Sequence, residues 1–105
     1  VLDPANSSLY QGGHISLETL EQLRRGGAVG DVGGVHIDIN GNVAGGDFNE
    51  RMVGIAGPDL LVIPTRLAVA GGVAKAEAIL GALRGGFANL LVTDSETAEA
   101  VLRID

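Results

Sequence analysis

The sequence has no cysteine and no tryptophan, and only one tyrosine and two phenylalanines in 105 residues. Without cysteine there is no disulfide framework and no thiol chemistry, and the expected setting is a reducing cytoplasm. So few aromatic rings leave no stacking platform for single-stranded nucleic acid. Positive charge is scarce as well: seven Lys and Arg against thirteen Asp and Glu give a formal net charge of −6. Nucleic-acid binding draws most of its affinity from neutralised phosphates, so this stretch is not expected to touch DNA. The closest basic pair, Arg24-Arg25, falls where a helix should end, and there it complements the helix dipole. No apolar run approaches the roughly eighteen residues of a membrane span, and no secretory signal is visible. His14 and His36 stand apart from acids at ligand spacing, so neither a metal nor a cofactor is expected. His36 should point outward from a strand into solvent. Ser7, Ser8 and Ser16 have no His and Asp partners in a nucleophile motif and are read as capping or loop residues.

Glycine is what the sequence has in excess, with seventeen. They imply tight turns and close backbone approaches. Residues 1–13 are polar and read as loop, with a short turn near Leu9-Tyr10. Ser16 can cap a helix whose apolar face is Leu17, Leu20 and Leu23, with Glu18 in the first turn and Gly26-Gly27 ending it. Val35, Ile37 and Ile39 alternate with His36 and Asp38, a half-buried strand. Asn40-Gly41 is a hairpin signal, with a return through Val43. The stretch from Gly45 to Gly57 is the least regular, although Met52, Val53, Ile55 and Ala56 are apolar enough to reach the core. Pro58-Asp59 can open a short helix through Leu60 to Val62, halted by Pro64.

The most informative stretch is 69–102. Leu67 to Ala70 is an apolar run of strand length, broken by Gly71-Gly72. Ala76, Ile79, Leu80 and Leu83 then recur at helical spacing until Gly85-Gly86. Leu90 to Val92 is a second apolar run, followed by Thr93-Asp94-Ser95, all good N-cap types. Two such strands joined by one helix require a crossover, so they should be parallel and close neighbours. A Gly-Gly turn that opens a helix with Lys75 in its first turn is suited to an anion, because backbone amides, helix dipole and ammonium agree in sign.

Val69-Ala70-Gly71-Gly72, Lys75-Ala76-Glu77-Ala78-Ile79-Leu80, Ala82-Leu83-Arg84-Gly85-Gly86 and Leu91-Val92-Thr93-Asp94 with Thr97-Ala98 form an ordered set of blocks. Upstream stand Ser7-Ser8-Leu9, Gly27-Ala28-Val29-Gly30-Asp31, Asn49-Glu50-Arg51-Met52-Val53-Gly54-Ile55, and Asp59-Leu60 before Ile63-Pro64. In this order they resemble the end of the sugar-binding domain of SorC-type bacterial transcription regulators. That group holds the sorbitol-operon, central glycolytic gene and deoxyribonucleoside regulators. The resemblance covers nearly the whole chain. It implies that residues 1–105 are the C-terminal portion of an effector domain, without the family's helix-turn-helix and the domain's first half. It also implies a Rossmann-like parallel α/β sheet flanked by helices, like the ribose-phosphate isomerase and glucosamine-phosphate deaminase fold. The hairpin near 35–44 would be an excursion from that sheet.

Each candidate site residue has a plain reading beside the functional one. Lys75 can be an ordinary solvated helix lysine. The resemblance makes it an effector contact, assigned with the Gly71 and Gly72 amides to a phosphate or polar oxygen. Asp31 can be an Asx-turn carboxylate. The resemblance makes it a reader of sugar hydroxyls, whose two acceptor oxygens distinguish epimers. Arg51 can pair with Glu50 or Asp47 at the surface, or brace the ligand loop or a neighbouring subunit. Gln11 stands where many relatives carry an arginine that grips phosphate. It can hydrogen-bond but adds no charge, which favours a monophosphate or an unphosphorylated polyol.

Two functions follow. The first is a sensor: a homo-oligomeric regulator that controls transcription of carbohydrate-metabolism genes when a sugar phosphate binds, and meets DNA only through its missing domain. The second is a fragment of a sugar-phosphate isomerase or deaminase. Such chemistry needs an acid and a base, and beyond Asp31 no second group belongs to a recognisable motif. The sensor is the favoured reading, and no enzymatic activity is expected.

Overall fold

The structure, a computed structural model, describes residues 1–46, 48–49 and 54–105. A short helix α1 (Ser8–Gln11) begins at Ser7, whose buried hydroxyl accepts from the Tyr10 amide. Helix α2 (Leu17–Arg25) starts where the sequence placed it, with the Ser16 side chain accepting from the Thr19 amide. Leu20 and Leu23 are buried, whereas Leu17 remains 43% exposed. Strands β1 (Ala28–Val32) and β2 (Val35–Asp38) follow, then α3 (Gly57–Leu61) with Pro58 in its first turn. Strand β3 (Leu67–Val69) leads through a 3₁₀ turn (Val73–Lys75) into α4 (Ala76–Arg84). Strand β4 (Leu90–Val92) and helix α5 (Ser95–Ile104) complete the chain.

The strand–helix–strand–helix reading of the last forty or so residues holds. β3 and β4 are parallel, with Leu67 opposite Leu90 and Val69 opposite Val92. The expected single parallel sheet is not what the described residues form. They hold two two-stranded sheets, and β1–β2 is antiparallel. The reason is a turn not foreseen in the sequence. Gly33 and Gly34 both adopt positive φ, +58° and +91°, as a two-residue hairpin loop of the primed kind requires. The excursion near 35–44 is present too: Ile37 bridges Val43, and the Gly41 amide donates to the Asp38 carbonyl.

Helix α4 lies on this hairpin with almost nothing between the backbones. A Cβ at Gly30 would come within 2.5 Å of Ala78 Cβ, a Cβ at Gly81 would strike the Asp38 carbonyl oxygen, and one at Gly41 would strike Gly85. Around this seam sit three small apolar clusters. Ala76, Ile79 and Leu80 of α4 pack on Ala100 and Val101 of α5. Val35 and Ile37 pack on Ala82 and Phe87. Leu20 and Leu23 pack on Leu2 and Ala28.

His36 is a correction. It is fully buried, 0% exposed, and its ring meets Phe48 edge-on at a centroid distance of 5.0 Å. Alternation along β2 does send it away from the face that holds Ile37, but that second face is also covered. The Asn49 side chain accepts from the His36 amide at 2.8 Å. Among the described residues neither ring nitrogen has a partner within hydrogen-bonding geometry. Burial pushes the imidazole pKa below its ordinary 6.5, against the smaller opposing pull of the Asp31 charge and of Asn49 and the Gly34 backbone, which lie near the ring without full hydrogen-bonding geometry.

Two outcomes follow. Gly81→Ala should destabilise the intact protein by about 1–3 kcal/mol, the usual result of overpacking. Gly26→Ala, where a Cβ meets only ordinary contacts at 3.5 Å and beyond, should cost clearly less; urea midpoints read both. For His36, the unfolded chain binds the proton more readily than the native one. Its share of stability is therefore complete above pH 6.5 and lost as pH falls below it. Unfolding midpoints between pH 7 and 5 should decline more steeply in wild type than in His36→Leu. Equal slopes would contradict a neutral buried imidazole.

Candidate effector-binding cleft

Asp31 and Lys75 are 44 positions apart in sequence and line the same open cleft of about 390 Å³. The hairpin–helix seam brings them together. Gly30 docks β1 on Ala78 of α4, which leaves Asp31 at the strand's end beside the opening of that helix. The apolar walls come from Ala68 to Ala70 and from Ala78, Ile79 and Ala82, and the Asn6 and Ser8 side chains add polar lining. Among the described lining residues, Asp31 and Lys75 are the ionisable side chains. The lining therefore offers one carboxylate and one ammonium among mostly apolar residues. That suits a small molecule carrying hydroxyls at one end and negative charge at the other.

Asp31 is exposed, and its Oδ2 accepts from the Gly34 amide at 3.1 Å. The plain Asx-turn reading is therefore correct for one oxygen, which closes the Gly33-Gly34 turn. The other oxygen remains available to the cleft. Lys75 ends the 3₁₀ turn and stands at the N-cap of α4, exposed to solvent. The amides of Val73 and Ala74, which open this turn, have no intrahelical acceptor, as at any helix start.

Gly71 and Gly72 link β3 to the 3₁₀ turn and do not line the cleft themselves. Gly72 has φ of +112°, and its amide donates to the Thr97 hydroxyl at 2.8 Å. A Cβ at Gly71 would come within 2.9 Å of Asp94 Oδ2. Asp94 caps α5 through the Thr97 amide at 2.7 Å, and the Thr97 amide and hydroxyl hold its carboxyl below the usual carboxylate range. Gln11 is outside the cleft lining; its side-chain amide donates to the carbonyls of Ala5 at 2.6 Å and Pro4 at 3.2 Å. Arg51, with Met52 and Val53, lies outside the described residues.

Asn6, Ser8 and Thr97 are the residues that sequence reasoning missed. Ser8 belonged to a quoted block but was read as a cap, a task that Ser7 performs. Nothing local marks Asn6, whose side-chain amide donates to Asp3 at 2.9 Å. No group of three or more His, Cys, Asp or Glu that could hold a metal occurs among the described residues. No described helix is long and apolar enough to cross a membrane.

Residues 3–103 match the protein family described as "Putative sugar-binding domain". The transcriptional regulator LsrR of Escherichia coli K12 is 46% identical over 80 residues, which is 75% of this chain and 25% of LsrR. A DeoR family transcriptional regulator from Listeria monocytogenes superposes with a TM-score of 0.85 at 31% identity, over 91% of this chain and 39% of that one. The full-length sorbitol operon regulator SorC from Klebsiella pneumoniae superposes with a TM-score of 0.81 at 32% identity, over 95% and 33%. The chain thus spans about a quarter of the curated relative's length and 33% to 39% of the two solved ones.

Proposed function

Because this chain belongs to the sugar-binding domain family, we propose that it is the C-terminal, effector-sensing part of a SorC-type transcription regulator whose ligand is a phosphorylated sugar or polyol. The observation that carries the reading is the single cleft shared by Asp31 and Lys75. Lys75 and the free amides at the start of its turn hold the phosphate, and Asp31 accepts sugar hydroxyls with the oxygen that Gly34 leaves open. Gly72 contributes through the shape of the turn, since its amide is already engaged. Gln11 and Arg51 act, in this reading, at the margin of the ligand loop. A site with one lysine suits a monophosphate better than a bisphosphate.

The completed fold, in the same proposal, is the isomerase- and deaminase-like parallel sheet, without that group's enzymatic chemistry. Leu67, Val69, Leu90 and Val92 are 57%, 74%, 54% and 55% exposed on one face of β3–β4. Parallel sheets are covered on both faces, so this bare face suits the rest of the domain. DNA is bound by a separate helix-turn-helix, within a cytoplasmic homo-oligomer whose size sedimentation would read. Ligand shifts DNA binding only by the difference in its affinity for two arrangements of the assembly.

Lys75→Ala in the intact protein should weaken phosphosugar binding by about 1.5–3 kcal/mol, the loss of a charge-assisted hydrogen bond. DNA binding without effector should be nearly unchanged. Asp31→Asn should keep affinity for the phosphate end but lose discrimination between sugar epimers. Calorimetric titration of a sugar-phosphate panel, with operator binding at fixed salt, reads all three. If Lys75→Ala binds every phosphosugar as well as wild type, Lys75 is a solvated helix lysine and the reading fails.

A further inference from the structure

The turn that presents Lys75 is fastened to another helix by a buried hydroxyl. Thr97, in the first turn of α5, is 1% exposed, and its Oγ1 accepts the Gly72 amide at 2.8 Å. The Thr97 amide in turn donates to Asp94 Oδ1 at 2.7 Å. The second Asp94 oxygen lies so close to Gly71 that any side chain there would have to displace it. Of the two residues that lead the chain out of β3, Gly72 is therefore held from α5 and Gly71 is hemmed in by its cap. Immediately beyond them come the free Val73 and Ala74 amides and Lys75.

We propose that Thr97 is a positioning residue for the effector cleft: through Gly72 it fixes the turn that aims Lys75, and so ties ligand binding to the seating of helix α5. The inference rests on the phosphosugar reading of the cleft. The hydroxyl matters because it accepts the Gly72 amide directly, and the Asp94 carboxylate, which also draws on that amide, is itself placed by the Thr97 amide. Valine has threonine's shape but no acceptor. With valine the 3₁₀ turn keeps its sequence and loses its anchor, and Lys75 samples orientations that no longer converge on the phosphate. Since α5 carries the other end of the same hydrogen bond, ligand held at Lys75 also favours the seated position of α5. That gives the cleft a path to the surface that α5 presents, where Leu102 is 73% exposed.

The test is a double-mutant cycle in the intact protein, with glucose 6-phosphate, fructose 6-phosphate, ribose 5-phosphate and inorganic phosphate as probes. Thr97→Val should weaken the tightest of these about 5- to 20-fold, and Thr97→Ser should restore most of the loss. In a Lys75→Ala background, Thr97→Val should change affinity less than twofold, because it acts through Lys75. A loss of the same size in both backgrounds would overturn the proposal and make Thr97 a general stabiliser of the fold. Wild-type affinity in Thr97→Val, with Lys75→Ala still impaired, would overturn it and leave the phosphosugar reading intact. An unimpaired Lys75→Ala, or a wild type that binds none of the probes, would remove both. Should Thr97→Val not fold, Thr97→Ala, with the same absence of an acceptor and less bulk, enters the same cycle.

Discussion

The structure depends on a near-contact of backbones: helix α4 rests on the β1–β2 hairpin through Gly30, Gly41 and Gly81. Side chains ordinarily hold packed layers well apart, about 10 Å between two stacked sheets. Here glycine removes the spacer at three points, so neither partner can slide without a clash. The seam sets the distance between the end of β1 and the start of α4, and with it the separation of Asp31 and Lys75. It also explains how a chain with so few aromatic side chains defines a cleft. Precision comes from the absence of atoms at the contact and not from a deep core.

The same economy governs the charged groups. Asp31 closes a hairpin turn with one oxygen and also lines the cleft. Asp94 caps α5 with one oxygen and fills the space beside Gly71 with the other. A carboxylate with two acceptor atoms can serve the fold and the site together, and the hydrogen bonds that hold it structurally also fix where the second oxygen points. In the proposed reading, pre-set geometry of this kind leaves little ordering to be done when ligand arrives.

Much of this was legible in the residues. Ser16, Asp94 and the Gly71-Gly72 break marked helix starts correctly, and the apolar runs at Leu67 and Leu90 gave the parallel pair. Strand β1 was missed because Ala28-Val29-Gly30-Asp31-Val32 has no clean alternation, and Gly30, a weak strand former, is there to let α4 approach. His36 was misplaced because alternation reports which face a side chain takes but not whether a second element covers that face. The two cleft residues were each visible as candidates, and the resemblance assigned both to one effector; the contact that brings them together was not legible. It depends on the seam, and no local pattern encodes a contact between residues 30 and 78. Thr97 stood in one of the quoted blocks, but its role was hidden for the same reason, since it joins α5 to a turn 25 residues earlier.

The central claim is that one cleft holds a phosphosugar between Asp31 and Lys75. Its most direct test is a crystal structure of the intact protein with the tightest-binding sugar monophosphate. The account predicts phosphate oxygens within hydrogen-bonding distance, roughly 2.7–3.2 Å, of Lys75 Nζ and the Val73 or Ala74 amide. At least one sugar hydroxyl should then donate to Asp31. A ligand seated elsewhere, or in this cleft with its phosphate turned away from Lys75, would contradict it.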